Sequence, residues 1–407
     1  MSRRGTLRLA TRGSALARRQ AAAVAEALED RRYDVELVEV ETRGDQLRDE
    51  LIHRLGTVGA FVRALDERVL DGEVDAAVHS MKDMPTELPD ELEVAGVPER
   101  AAATDVLVTP DGTELDALPP DAVVGTSSLR RGAQILDRRP DVTVEPLRGN
   151  VDTRVEKLLA PSLHREHERR LDAAEAAEAD EGADGPGGTN DLPPEEWFDG
   201  LSAIERSAME RRVETEYDAI VLAEAGLARS GLLHHLEYER LGRAEFTPAA
   251  GQGAIAVTAR SGEAAEAIHQ VVDDPVTRVA TTVERTVLAE LGGGCVAPIG
   301  VNAVVQGQYV DVRARVLAPD GESVVEDTRD LPIERHASAA AEFAADLRER
   351  GADELIERAR ELTDEGRDPD VHDDGTGDGT DGPVEDDDGS VGADDGPVEG
   401  NGGSTDA

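Results

Sequence analysis

Hydrophobic positions at the start of the chain alternate and then change period. Residues 7–10 (Leu-Arg-Leu-Ala) read as a strand, and Thr11-Arg12-Gly13-Ser14 turns the chain into an alanine-rich helical pattern over residues 15–28. Further strands are expected at 35–40 and at 74–78, the second short and buried, delivering His79-Ser80-Met81-Lys82-Asp83-Met84-Pro85 at its carboxyl end. A new block of strands and helices opens at 106–109. Residues 122–131 and 142–154 then repeat the order of strand, polar turn and helix start, and a buried strand resumes at 217–222. After residue 300, the runs 301–305, 309–317 and 322–331 alternate like antiparallel strands, and helical sequence at 337–364 completes a small α+β unit.

The alternation of strands and helices predicts an α/β fold. Two stretches depart from it. Between about Pro161 and Arg212 the pattern degrades into acidic, Ala- and Gly-rich sequence, expected to be a partly disordered insertion, and residues 366–407 form an acidic tail with no core-forming pattern.

Composition narrows the functional classes. With 43 basic against 88 acidic residues the net charge is −45, which argues against nucleic acid as a partner. Lysine occurs only at Lys82 and Lys157, arginine supplies all other basic charge, and aromatics make up 2% of the chain, a pattern of salt-adapted acidic surfaces. No run approaches the roughly 20 apolar residues of a membrane span, and the N-terminus lacks the apolar block of an export signal, so a soluble cytoplasmic protein is expected. One cysteine excludes a disulfide framework. The neighbouring pair His234-His235 has no metal-ligand partners at telling spacing and reads as surface.

The single thiol, Cys295, lies in Leu-Gly-Gly-Gly-Cys-Val-Ala-Pro, after a helical pattern at 276–291. A lone cysteine is commonly a small buried hydrophobe, but a glycine-flanked one on a loop also suits covalent chemistry. Arg12 and Ser14, the stretch Thr126-Ser127-Ser128 with Arg130 and Arg131, and Arg148 with Arg154 all sit where a strand turns into a helix. Each is compatible with an ordinary helix cap; three such loops with arginines point to a polycarboxylate or phosphate ligand. Lys82, retained where lysine is otherwise almost eliminated, marks the 79–85 loop. The run Gly251-Gln252-Gly253 to Ala256 satisfies a loose dinucleotide fingerprint but lacks the preceding strand.

Taken in order, Ala10-Thr11-Arg12, Thr42-Arg43-Gly44-Asp45, His79 to Asp83, residues 124–131, Leu147-Arg148-Gly149-Asn150, Gly251-Gln252-Gly253 and Gly293-Gly294-Cys295 resemble the porphobilinogen deaminases (hydroxymethylbilane synthases), transferases of tetrapyrrole biosynthesis. The resemblance implies two lobes like those of periplasmic binding proteins plus a small α+β C-terminal domain. The expected first lobe is 1–103 and 251–272, the second 104–160 and 213–250 with the acidic insertion 161–212 within it, and the third domain 273–365. It implies a dipyrromethane cofactor held by a thioether to Cys295, onto which four porphobilinogen units condense with loss of ammonia before hydrolytic release. Asp83 matches the catalytic carboxylate, with Lys82 beside it, and Arg12, Ser14, Lys82, Thr126, Ser127, Ser128, Arg130, Arg131, Arg148 and Arg154 match positions that hold pyrrole carboxylates. The expected enzyme is monomeric, with a small-molecule substrate and no metal, nucleic acid or membrane partner. Where the family often carries two loop lysines this chain has Arg54 and Val58. The other class of reading is a two-lobed solute-binding or regulatory protein; Asp83 and Cys295 count against it.

Overall fold

A computed structural model describes residues 4–40, 60–179, 192–292, 294 and 297–365. The first lobe is built on a five-stranded sheet of order β2-β1-β3-β10-β4, from β1 (Gly5–Arg12), β2 (Tyr33–Val40), β3 (Ala76–Ser80), β4 (Leu92–Gly96) and β10 (Ile255–Arg260). The first three strands run parallel; β10 is antiparallel to β3 and β4. One face packs on helices Ala15–Asp30 and Glu263–Val272, through Leu9, Val24, Leu28, Val257 and Ile268. The other face carries helix Ala60–Leu70 on Ala10, Leu65, Val69 and Ala77.

The second lobe repeats the design, with order β7-β6-β8-β5-β9 from β5 (Asp105–Val108), β6 (Val123–Gly125), β7 (Thr143–Glu145), β8 (Ala219–Ala223) and β9 (Tyr238–Leu241). Strands β6, β7 and β8 are parallel and β5 is antiparallel to its neighbours. The two antiparallel central strands, β5 and β10, follow the two segments by which the chain passes between lobes.

The third unit is an antiparallel sheet, β11 (Ile299–Gln306), β12 (Tyr309–Leu317) and β13 (Val324–Pro332), covered by helices Pro275–Glu290, His336–Glu349 and Ala352–Glu365. Phe343, Val287, Val301, Val312 and Leu347 fill its core. Gly321 in the β12–β13 turn lets this unit lie against the backbone of the 129–138 helix: a Cβ there would come within 2.5 Å of Asp137 N.

Two expectations need correction. Residues 161–212, expected as a partly disordered insertion within the second lobe, include helices packed on that lobe's core. Helix Val151–Ala179 runs on through Pro161, and helix Ala203–Met209, closed by a Ser202–Glu205 capping box, buries Ile204 and Ala208 in one cluster with Val155, Leu158 and Leu159. His164 Nε2 lies 2.9 Å from Met209 O. Acidic composition hid these few apolar positions, which suffice to anchor the helix. The second correction concerns β3. It starts and ends two residues later than its apolar run suggests, so His79, expected in the loop, lies buried within the strand. Residues 180–191 and 366–407, with Thr42 to Asp45, Arg54 and Val58, fall outside the described residues.

Candidate active site

Parallel strands point their carboxyl ends, and the helix N-termini that follow, to the same edge of each sheet. At the end of β1 stands half-buried Arg12, followed by Ser14, which caps the next helix by accepting from Ala17 N at 3.3 Å. Adjacent β3 ends at Ser80 and passes into a single 3-10 turn, Met81–Asp83, which presents Asp83 to solvent with half-buried Lys82 beside it.

In the second lobe β6 leads into Thr126-Ser127-Ser128. Ser128 caps helix Leu129–Arg138, accepting from Arg131 N at 3.4 Å, and Thr126 Oγ1 accepts from Ser128 N at 3.2 Å. Ser127 Oγ donates to Leu147 O at 2.6 Å, tying this turn to the loop after β7. On that loop Gly149, with φ of 111°, lets its carbonyl accept from Arg154 Nε at 2.8 Å, while Arg148 O accepts from Lys157 Nζ at 3.2 Å.

The lobes meet at Asp105, which is wholly buried. Its Oδ2 is 2.8 Å from Arg130 Nη2, and its Oδ1 takes Arg131 Nη2 at 2.7 Å and Nε at 2.9 Å. Gln252, on the second crossing segment, donates from Nε2 to Asp105 Oδ1 at 2.9 Å and to Ala103 O on the first. Burial alone raises a carboxyl pKa; here the charges of Arg130 and Arg131 and their hydrogen bonds outweigh it and bring Asp105 down to about 2.

Arg130 and Arg131 match positions from which the resemblance expects ligand contact. Both also engage protein: Arg130 Nη1 donates to Thr247 O at 2.8 Å and Arg131 Nη1 to Val221 O at 3.3 Å. Their charge is nonetheless felt at the turn. Burial lowers the pKa of Lys82, opposed by Asp83, with Arg131 and Arg130 adding to the fall and Asp105 opposing it. Arg154 is brought down to about 10 by burial and by Arg131, with Asp83 opposing. Lys82, Asp83, Arg130, Arg131 and Arg154 therefore share one electrostatic neighbourhood, drawn from both lobes. Among the described residues, the acids acting on its four cations are Asp83 and Asp105, and Arg130 Nε is buried without a hydrogen-bond partner. An anionic group suits that imbalance.

Cys295 lies outside the described residues, but the elements on either side of it are set. Helix Pro275–Glu290 ends at buried Leu291, and Gly292, with φ of 63°, offers its carbonyl to Arg360. The same helix carries wholly buried Glu284, which holds Arg100 by a paired fork at 2.7 and 3.0 Å and accepts from Gly251 N and Ala303 N, both at 2.7 Å. Both crossing segments and the third unit are thus pinned to one carboxylate. Asp105, Arg100 and Glu284 were missed in the sequence, and Gln252 was noted only as part of a motif; the one signal for Asp105 was an acid opening an otherwise apolar strand.

Fold and site define a two-lobed α/β enzyme scaffold with a positively charged meeting place between its lobes. A family model described as "Porphobilinogen deaminase, dipyromethane cofactor binding domain" matches residues 7–173 and 206–268, and "Porphobilinogen deaminase, C-terminal domain" matches 279–349. A probable porphobilinogen deaminase of Halobacterium salinarum is 53% identical over 388 residues, covering 87% of this chain and 98% of the relative. The porphobilinogen deaminase of Sulfurimonas denitrificans is 34% identical, covering 87% and 97%. Among solved structures, the methionine-binding protein MetQ shares 11% identity at a TM-score of 0.32, covering 65% of this chain and 89% of that one. The chain belongs to the porphobilinogen deaminase family. It is a transferase of tetrapyrrole biosynthesis with a dipyrromethane-binding domain. The match passes over only residues 174–205, which narrows the unmatched segment well inside 161–212.

Proposed function

We propose that this enzyme condenses four porphobilinogen molecules in turn, releasing ammonia each time, and frees the product by hydrolysis as hydroxymethylbilane. The observation that carries the reading is the placement of Asp83 and Lys82, at the end of a first-lobe strand, within the field of Arg131 and Arg154 from the second. Breaking the C–N bond of porphobilinogen leaves positive charge on the substrate's pyrrole. Asp83, exposed on a short fixed turn, stabilises that charge and accepts the proton set free when the new C–C bond forms. Lys82 and Arg154 hold substrate carboxylates around it.

The proposed cofactor attachment is a thioether to Cys295. When bound, dipyrromethane supplies the carbon terminus to which the first unit is joined. Its acetate and propionate groups would be held by Arg12, Ser14, Thr126, Ser127, Ser128, Arg148 and Arg154. Arg130 and Arg131, anchored by Asp105, would act as fixed positive charge at shorter range than any surface pair. That arrangement suits a chain of net charge −45, whose overall field repels carboxylates.

Intact mass tests the attachment: the purified chain should exceed its calculated mass by two linked pyrroles, and Cys295→Ser should lose the excess. An unmodified, fully active enzyme refutes it. For the carboxylate, Asp83→Asn should lower turnover by roughly 10² or more while substrate still binds; near-normal turnover excludes the role.

A further inference from the structure

We infer that Asp66, His79 and Thr258 form a positioning network that sets where Lys82 and Asp83 stand relative to the second lobe's arginines; it rests on the assignment of Asp83 made above. The three side chains come from the 60–70 helix, β3 and β10, and all are buried. Thr258 Oγ1 donates to Asp66 Oδ1 at 2.7 Å, and His79 Nε2 lies 2.9 Å from that same oxygen and 3.0 Å from Thr258 Oγ1. A hydroxyl has one proton, and Thr258 gives it to Asp66. Its oxygen must therefore accept from His79, which fixes the proton on Nε2.

The pairing is diagonal. Across β3 and β10 the register sets Ala256 opposite His79 and Thr258 opposite Ala77, so the ring reaches two residues along the neighbouring strand. Hydrocarbon side chains of equal volume would fill this layer beside Leu65 and Ala77 but would permit small slides of strand on strand. Two protons shared among two oxygens and one nitrogen, with the Nε2–H bifurcated between Asp66 Oδ1 and Thr258 Oγ1, do not.

The position of β10 against β3 matters because both lead directly into the site. Met81 N donates to Ala254 O at 3.1 Å, and a Cβ on Gly251 would fall 2.8 Å from Met81 Cγ and 3.3 Å from Lys82 N. The next residue is Gln252, bonded to Asp105. Any slide of β10 on β3 therefore moves the Lys82–Asp83 turn against the Asp105–Arg130–Arg131 group. No member of the network touches the reacting atoms; it acts through Asp83.

The test compares Thr258→Val, Thr258→Ser and Asp83→Asn in the full-length, cofactor-loaded enzyme, with circular dichroism as the check on folding. Thr258→Val is expected to lower turnover at saturating porphobilinogen by about 10-fold or more with KM within about twofold, the signature of an interaction acting in the transition state. Thr258→Ser, which keeps the hydroxyl, is expected to restore turnover. In the unsubstituted protein, NMR of labelled histidine should show a slowly exchanging Nε2 proton that His79→Gln removes. Normal turnover in Thr258→Val, a loss that serine does not restore, a rise in KM alone, or absence of that proton each overturns the network. Normal turnover in Asp83→Asn instead overturns the assignment beneath it.

Discussion

Asp105 holds Arg131 through a single oxygen, Oδ1, which accepts from Nη2 at 2.7 Å and Nε at 2.9 Å, leaving Oδ2 for Arg130. One buried carboxylate thus compensates two guanidinium groups. Replacing it by Asn leaves both cations uncompensated in the interior, a loss of about 3–5 kcal/mol for a broken buried pair. Asp105→Asn should unfold at markedly lower urea concentration.

The same carboxylate gives a pH signature. Its folded pKa, about 2, lies below the usual 3.8, so its contribution is complete above about pH 4 and disappears as pH falls towards 2. Urea titrations between pH 4.5 and 2 should show a steeper loss of stability in the parent than in Asp105→Asn; parallel curves would contradict the coupling.

Arg130 reaches Asp105 with one terminal nitrogen and Thr247 O with the other. A lysine carries all its donors on one nitrogen and cannot span both. Arg130→Lys should therefore retain charge yet slow elongation, with partly extended enzyme species accumulating in native mass spectra. Normal elongation in that variant would show that charge alone suffices.

Glu284 ties Arg100, Gly251 and Ala303 to one side chain. Glu284→Gln removes the charge while keeping the shape, and Arg100 is then left nearly buried without its counter-ion. A fall in stability of about 3 kcal/mol or more is expected, read as a lowered thermal midpoint.

Ile204 and Phe198 lie six residues apart within the stretch whose composition reads as disordered. Ile204→Ala should cost about 2–4 kcal/mol because it opens a cavity beside Leu158. Phe198→Ser, at a side chain 39% exposed, should change stability by no more than about 0.5 kcal/mol. Equal small effects in urea melts would restore the reading of 161–212 as a partly disordered insertion.

The contrast shows what a single sequence discloses. Periodicity was enough for the α/β class, because alternating β1 and apolar β6 each lead through a polar turn into a helix. Motif order then drew attention to candidate residues of both lobes, most of which lie at or just after the carboxyl end of a strand. What escaped was the pairing of distant polar groups. Nothing near Asp66 or Thr258 announces a partner 13 or 179 residues away from His79. The placement of Arg130 and Arg131 on Asp105 escaped for the same reason: their local context described a ligand site equally well. Core segments with few apolar residues, such as Ala203–Met209, escaped because acidic neighbours dilute their periodicity.

The antiparallel strand β10 belongs to the first lobe's sheet but is made from residues 255–260, after every strand of the second. During synthesis the second lobe's sheet is complete in the nascent chain once residue 241 has emerged, while the first still lacks the strand between β3 and β4. The N-terminal lobe's sheet therefore cannot close until the segment behind it has been made, whereas the second lobe's sheet can. Until then β3 and β4 expose unpaired edges, and the ribosome-bound chain is most open to aggregation in the interval between residues 96 and 255.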